Sequence, residues 1–245
     1  MAARYRTAWW LALMGWGVAG ATSAASLQLA PTSITLHAGQ QADGLWLTNS
    51  GSAPMQVQAR VYRWTQHAGR DELQPTDDLL VSPPMRGLAA GEKQLLRVVR
   101  AVPPPAGQEV GYRVIVDELP GFDPAKTGTQ FVLRYSVPIF LTPPGDAGQA
   151  PAPRLQARLS ADAQGQAVLE VSNGGTGHAQ IADLALAGGD TPRAVQAGLV
   201  GYVLPGQTMR WPLARPWREL QGATLLARIN GEPAQRPLPL ADAPR

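Results

Sequence analysis

Apolar residues in this chain recur at every second position, not at the 3.6-residue spacing of a helix, and this limits what the chain can fold into. Leu27, Leu29, Ile34 and Leu36 alternate with polar or small neighbours. Met55, Val57, Ala59 and Val61 do so against Gln56, Gln58 and Arg60. Successive side chains of a strand point to opposite faces, so each run predicts a strand with one buried face. The phase then slips, and Tyr62 and Trp64 become the large residues, which predicts a bulge. Further strands are predicted over residues 95–99, 112–119 and 131–139, set apart by turn signals such as Asn49-Ser50-Gly51, Ala68-Gly69-Arg70, Ala90-Gly91-Glu92 and Pro120-Gly121. The 23 Pro and 26 Gly interrupt any long helix. About seven short strands in roughly 115 residues is the pattern of a β-sandwich.

The alternation stops at residues 142–153 (TPPGDAGQAPAP), where four prolines and no large apolar side chain predict a linker. Strands resume at Leu155 and continue to Leu240, with Asn230-Gly231 as a two-residue hairpin signal. The second half echoes the first. Leu45, Leu47, Asn49, Gly51, Met55 and Val57 recur as Leu169, Val171, Asn173, Gly175, Ala179 and Ile181, always 124 residues later. This predicts two tandem all-β sandwiches of similar topology. The expected domains are 26–143 and 154–245, with the linker at 144–153. Residues 1–25 read as a cleaved signal peptide. Arg4 and Arg6 precede an apolar run of 14 residues at 8–21, and the small residues Thr22, Ser23, Ala24 and Ala25 follow it. That run is shorter than the ~20 residues a membrane span needs. The expected product is exported and soluble.

Little in the chain suggests catalysis. Cys is absent, which excludes disulfides, thiolate metal sites and Cys nucleophiles. His37, His67 and His178 have no ligand partner at metal spacing and read as solvated loop residues. Gly174-Gly175-Thr176-Gly177 lacks the Lys of a phosphate loop and reads as a turn. Asp77-Asp78 and Asp117-Glu118 are neighbours on a chain, so each pair points to opposite faces and makes no shared carboxylate site; the second is expected to end a strand before Pro120. No metal, no cofactor, no catalytic residue and no small-molecule substrate is expected. Without Arg4 and Arg6 the 21 basic residues fall to 19 against 18 acidic ones, a net charge of +1, which gives no argument for nucleic acid.

Two features exceed a plain sandwich. Phe131, Leu133, Tyr135, Val137 and Ile139 alternate over nine positions, and Pro138 places part of that strand at a sheet edge. A long apolar edge is an aggregation hazard unless something covers it. The alternate set faces either the domain's own core or a partner. Arg97, Arg113 and Arg134 lie inside apolar strands, where each either points outward or holds an anion through bidentate hydrogen bonds; together they could converge into a cleft.

Residues 60–100 (RVYRWTQHAGRDELQPTDDLLVSPPMRGLAAGEKQLLRVVR) carry W-x-Q-x-x-G, the Leu-x-Pro-Thr-Asp-Asp-Leu run, Ser-Pro-Pro and Gly-Glu-Lys-Gln before Arg97. With Tyr112-Arg113, Glu118-Leu119-Pro120 and the alternating strand ending at Pro138-Ile139-Phe140, this resembles the periplasmic pilus-assembly chaperones of the chaperone–usher system, and within them the archaic branch. The resemblance implies two immunoglobulin-like domains and a partner, a pilin subunit lacking its last strand. It implies that Phe131, Leu133, Tyr135 and Val137 are lent to that subunit until an outer-membrane usher exchanges them. In the better-known branch an Arg of the first strand and a Lys of the lending strand hold the subunit's terminal carboxylate. Here those positions correspond to Ser33 or Ile34 and to Pro138, none of which holds an anion. The anchor then falls to Arg113 first, with Arg134 and Arg97 after it. Two other readings compete. A carbohydrate- or surface-binding module would need exposed aromatics on a loop or flat face, whereas most of Trp46, Trp64, Trp211 and Trp217 sit in strand patterns, and a hydrolase would need the missing catalytic constellation.

Overall fold

The computed structural model describes residues 27–120, 132–145, 150–188 and 191–240. The leader at 1–25 and Phe131 lie outside the described residues. The first half holds β1 (Leu27–Ala30), β2 (Ile34–Leu36), β3 (Ala42–Asn49), β4 (Met55–His67), β5 (Arg70–Pro75), β6 (Leu79–Ser82), β7 (Met85–Leu88), β8 (Lys93–Arg100), β9 (Val110–Leu119) and β10 (Arg134–Leu141). They form a sheet β1-β3-β8-β6 and a sheet β2-β10-β9-β4-β5, with β7 on β4. Leu27, Leu45, Leu47, Leu96 and Val98 of the first sheet meet Val57, Val114, Val116 and Ile139 of the second in one core.

The second half holds β11 (Leu155–Ala161), β12 (Gln166–Asn173), β13 (Ala179–Leu186), β14 (Arg193–Val203), β15 (Thr208–Pro216), the single-turn α1 (Trp217–Leu220), β16 (Leu225–Ile229) and β17 (Arg236–Pro237). Sheets β11-β12-β15 and β14-β13-β16-β17 enclose a core that includes Leu169, Val171, Ile181, Val203, Met209 and Ile229. The chain is thus all-β, two immunoglobulin-like sandwiches in tandem, as the alternation predicts.

The echo at offset 124 has a physical cause. Asn49 and Asn173 are both buried at strand ends. Asn49 Nδ2 donates to Ala53 O, Leu88 O and Ala89 O, and its Oδ1 accepts from Gly51 N–H. Asn173 Nδ2 donates to Gly177 O and Val203 O, and its Oδ1 accepts from Gly175 N–H. Each asparagine therefore folds the chain after it over two and four residues and fills buried backbone groups that would otherwise lack partners.

The expected bulge in β4 is not formed. β4 pairs with β9 without a shift from Gln56↔Leu119 to Trp64↔Gly111. Val57 and Ala59 point into the first core, whereas Trp64 and Gln66 are buried on the opposite face. There Trp64 and Phe140 pack against Tyr202 and Leu204 of the second domain. A straight strand that buries opposite faces at its two ends gives the same slip in sequence. Gln66 completes this joint, donating from Nε2 to Tyr202 O at 2.9 Å and accepting from Leu204 N–H at 2.9 Å. The Asn230-Gly231 turn does form, with both residues at positive φ, but the return strand pairs only at Arg236 and Pro237. Its loop is therefore longer than two residues.

Residues 174–177 wrap the end of the linker. Thr176 N–H donates to Ala152 O and Gly174 N–H to Arg154 O. A Cβ on Gly175 would stand 2.2 Å from Ala152 O, a backbone atom that cannot swing aside. Gly175→Ala is expected to destabilise the protein by about 1–3 kcal/mol through overpacking. Gly188→Ala, where a Cβ meets nothing within 4 Å, is the control expected to melt like the parent. Paired thermal melts check this.

Candidate functional site

The first strand changes sheets. β1 pairs with β3 in one sheet, and β2 then runs parallel to β10 in the other. β2 reaches only Ile139, Phe140 and Leu141, whereas β9 pairs with β10 along its whole length, from Arg134↔Asp117 to Leu141↔Val110. Among the described residues, the edge of β10 from Arg134 to Pro138 therefore has no strand beside it. Glu118 N–H donates to Leu133 O at 2.8 Å, which fixes the phase of the ladder. Antiparallel alternation turns the N–H groups of Leu133, Tyr135 and Val137 toward β9 and those of Arg134 and Ser136 toward the open edge. Pro138 falls on the open-edge phase, so its missing N–H removes no bond to β9.

The alternate side chains grade along the strand. Val137 is buried in the first core, and Leu133 and Tyr135 pack half-buried on its rim. Tyr135 Oη donates to Leu27 O at 2.6 Å.

The opposite face of this sheet carries the cations. Arg113 lies across from Pro138. Its guanidinium stands 3.8 Å over the Trp64 ring and 5.2 Å from that of Tyr202, at the junction of the two domains. Among the described residues its one hydrogen bond is a long one, from Nη1 to Ser136 O at 3.4 Å. Burial pulls its pKa below the ordinary value, while Asp71 and Tyr202 pull it back. Asp71 itself is engaged by Trp64 Nε1 and Gln66 Nε2, each at 2.9 Å. Arg113 is thus a partly desolvated cation with donors to spare.

The other two arginines are placed differently. Arg134 gives its Nε to Asp117 Oδ1. Arg60 Nη2 donates to the other oxygen of the same carboxylate at 2.6 Å. Arg97 is exposed on β8, across from Gly44 and Ser82, on the outer face of the other sheet. The three cations do not converge, because they belong to two different sheet faces.

Sequence reasoning missed the partners. His178 is not a solvated loop residue. Its ring stacks on Phe140 at 3.6 Å, and its Nδ1 is 2.7 Å from Glu109 Oε1, across the domain junction. Asp117 does precede a strand end at Leu119, but it also binds two arginines. Among the described residues no three His, Asp or Glu side chains gather to hold a metal ion. Of the four described tryptophans only Trp46 is exposed, at 42%, and Lys93 lies 4.4 Å over its ring, so they form no aromatic platform.

The Asp117 carboxyl responds to two opposed effects. Burial raises its pKa, and the hydrogen bonds from Arg134 and Arg60 lower it by more, so it lies below the ordinary carboxylate value. A depressed folded pKa stabilises the fold at neutral pH, and that contribution is lost as pH falls through it. Asp117→Asn is expected to flatten the acid limb of a melting temperature–pH curve below about pH 4 and to leave its shape near pH 7 unchanged. Melts from pH 3 to 8 check this.

The family described as pili and flagellar-assembly chaperones, PapD N-terminal domain, matches residues 26–146. The first domain is that of a pilus-assembly chaperone. This chaperone is 27% identical to a chain of the CsuC–CsuE chaperone–tip adhesion subunit pre-assembly complex from the archaic chaperone–usher Csu pili of Acinetobacter baumannii. The TM-score is 0.68, with 88% of this chaperone and 98% of that chain covered. Two more distant structures share the fold. A chain from the complex of Salmonella enterica SafA pilin with the SafB chaperone is 21% identical, with a TM-score of 0.60 over 89% of this chaperone and 97% of that chain. The E. coli chaperone DraB is 19% identical, with a TM-score of 0.58 over 88% and 97%. No curated protein matches the chaperone by sequence.

Proposed function

We propose that this protein works in the periplasm as a donor-strand chaperone, acting by binding rather than by chemistry. It lends residues 131–137 to a pilin subunit that lacks its last strand, and hands the subunit to an outer-membrane usher. The open edge of β10 carries this reading. Backbone groups of Arg134 and Ser136 face outward, ready to pair with a subunit strand, and alternate side chains enter its groove. Leu133 and Tyr135 are the plugs, joined by Phe131. Val137, buried in the chaperone's own core, holds the lending strand in place. Arg113 takes the subunit's terminal carboxylate, since it is the one candidate anchor that combines burial, spare donors and a place beside the lending strand. The relative that most supports this reading comes from a complex of a chaperone with a tip adhesion subunit.

The test is co-expression with a pilin from the same bacterium, followed by native mass spectrometry of the periplasmic fraction. A one-to-one complex is expected. A chaperone that is recovered alone while the pilin aggregates would overturn the proposal.

A further inference from the structure

Asp117 joins three strands. Its two oxygens hold Arg60 of β4 and Arg134 of β10 while it sits in β9 between them. The cations are solvated, with side chains 45% and 69% exposed, whereas the carboxylate is 11% exposed. The clamp therefore has a shielded centre and open arms. It lies at the start of β10, where the strand is held most weakly. Arg134 is the first residue of the strand, and among the described residues its far side is open and the last bond to β9 beyond it is the one between Glu118 and Leu133. An edge strand with one neighbour frays from its free end. Here the free end carries the side chains offered to the subunit.

We propose that Asp117 is a positioning residue for subunit capture: by holding Arg134 against β9 and Arg60, it keeps the leading half of the lending strand paired and extended before a subunit arrives. This rests on the donor-strand reading above. Asp117 touches no subunit; it acts through the strand, sparing the encounter the entropy of ordering it. Removing the carboxylate leaves two arginines that water already solvates, which is mild for the fold. Removing either arginine would leave a shielded charge with half its partners.

The experiment measures amide hydrogen exchange in the free chaperone and pilin capture in parallel. In Asp117→Ala the amides of Leu133 and Tyr135, which face β9, are expected to exchange about tenfold faster or more, while those of Leu45 and Leu96 are unchanged. Capture of pilin should slow several-fold. Asp117→Glu, which keeps a carboxylate between the two guanidinium groups, should restore most of both. A purely structural role would speed exchange at Leu133 and Tyr135 but leave capture at full speed, and a general loss of stability would speed exchange at Leu45 and Leu96 as well. Unchanged exchange at Leu133 and Tyr135 overturns the clamp. Faster exchange with full-speed capture overturns the positioning role. Leu133→Asp serves as the separate control: if it still captures pilin fully, the donor-strand reading itself fails and the positioning role falls with it.

Discussion

Leu133→Asp is expected to abolish pilin capture while leaving a folded chaperone. Leu133 is half-buried at the rim of the first core, so the free protein loses only part of one apolar contact and its melting temperature should fall by a few degrees. In the complex the same side chain would enter a closed groove. Burying a large apolar side chain contributes about 1.5–3 kcal/mol, and an unpaired carboxylate there costs more than the lost contact. The combined loss exceeds about a hundredfold in affinity. Co-purification from the periplasm with circular dichroism melts of the free variant measures both parts. A variant that unfolds would place Leu133 in the chaperone's own core alone. One that melts normally and binds at full strength would remove it from the interface.

Arg113→Ala is expected to cost about 2–5 kcal/mol in subunit affinity, the range for deleting one partner of a desolvated charge pair. The guanidinium already has its face covered by Trp64 and Tyr202, so little desolvation is left when a carboxylate arrives. Arg113→Lys should recover only part of the loss, because an ammonium lacks the planar fork that binds a carboxylate twice. Arg97→Ala, on the outer face of the other sheet, should bind within about twofold of the parent, a difference of under 1 kcal/mol. Titration with pilin, and with a pilin whose terminal carboxylate is amidated, checks the assignment. The amidated pilin should lose affinity with the parent chaperone and lose nothing further with Arg113→Ala. Equal loss in both would place the anchor elsewhere.

The sandwiches were readable from local sequence because their strands alternate and their turns carry Asn, Gly and Pro. Asn49 and Asn173 show how far that goes: a repeated Asn-x-Gly marked the same side-chain hydrogen bonds in both domains. What stayed hidden depends on residues far apart in the chain. The slip at Trp64 looked like a bulge because the surface that buries it, Tyr202 and Leu204, comes from the other domain. His178 read as solvated because Phe140 and Glu109 reach it across the junction. Arg97, Arg113 and Arg134 looked alike, each an arginine inside an apolar strand. They separate only once sheet order assigns Arg97 to the other sheet and gives Arg134 to Asp117. Pro138 did locate the edge, since a residue without an N–H fits only where no ladder bond is needed.

Residue-resolved amide exchange of the chaperone, free and saturated with pilin, tests the donor-strand account most directly. Arg134 and Ser136 point their N–H groups away from β9, and only a strand added at the open edge can protect them. The account predicts strong protection of these two amides on binding, with those of Tyr135 and Val137, already paired to β9, changing much less. Protection that falls elsewhere, with Arg134 and Ser136 exchanging as in the free protein, would contradict it.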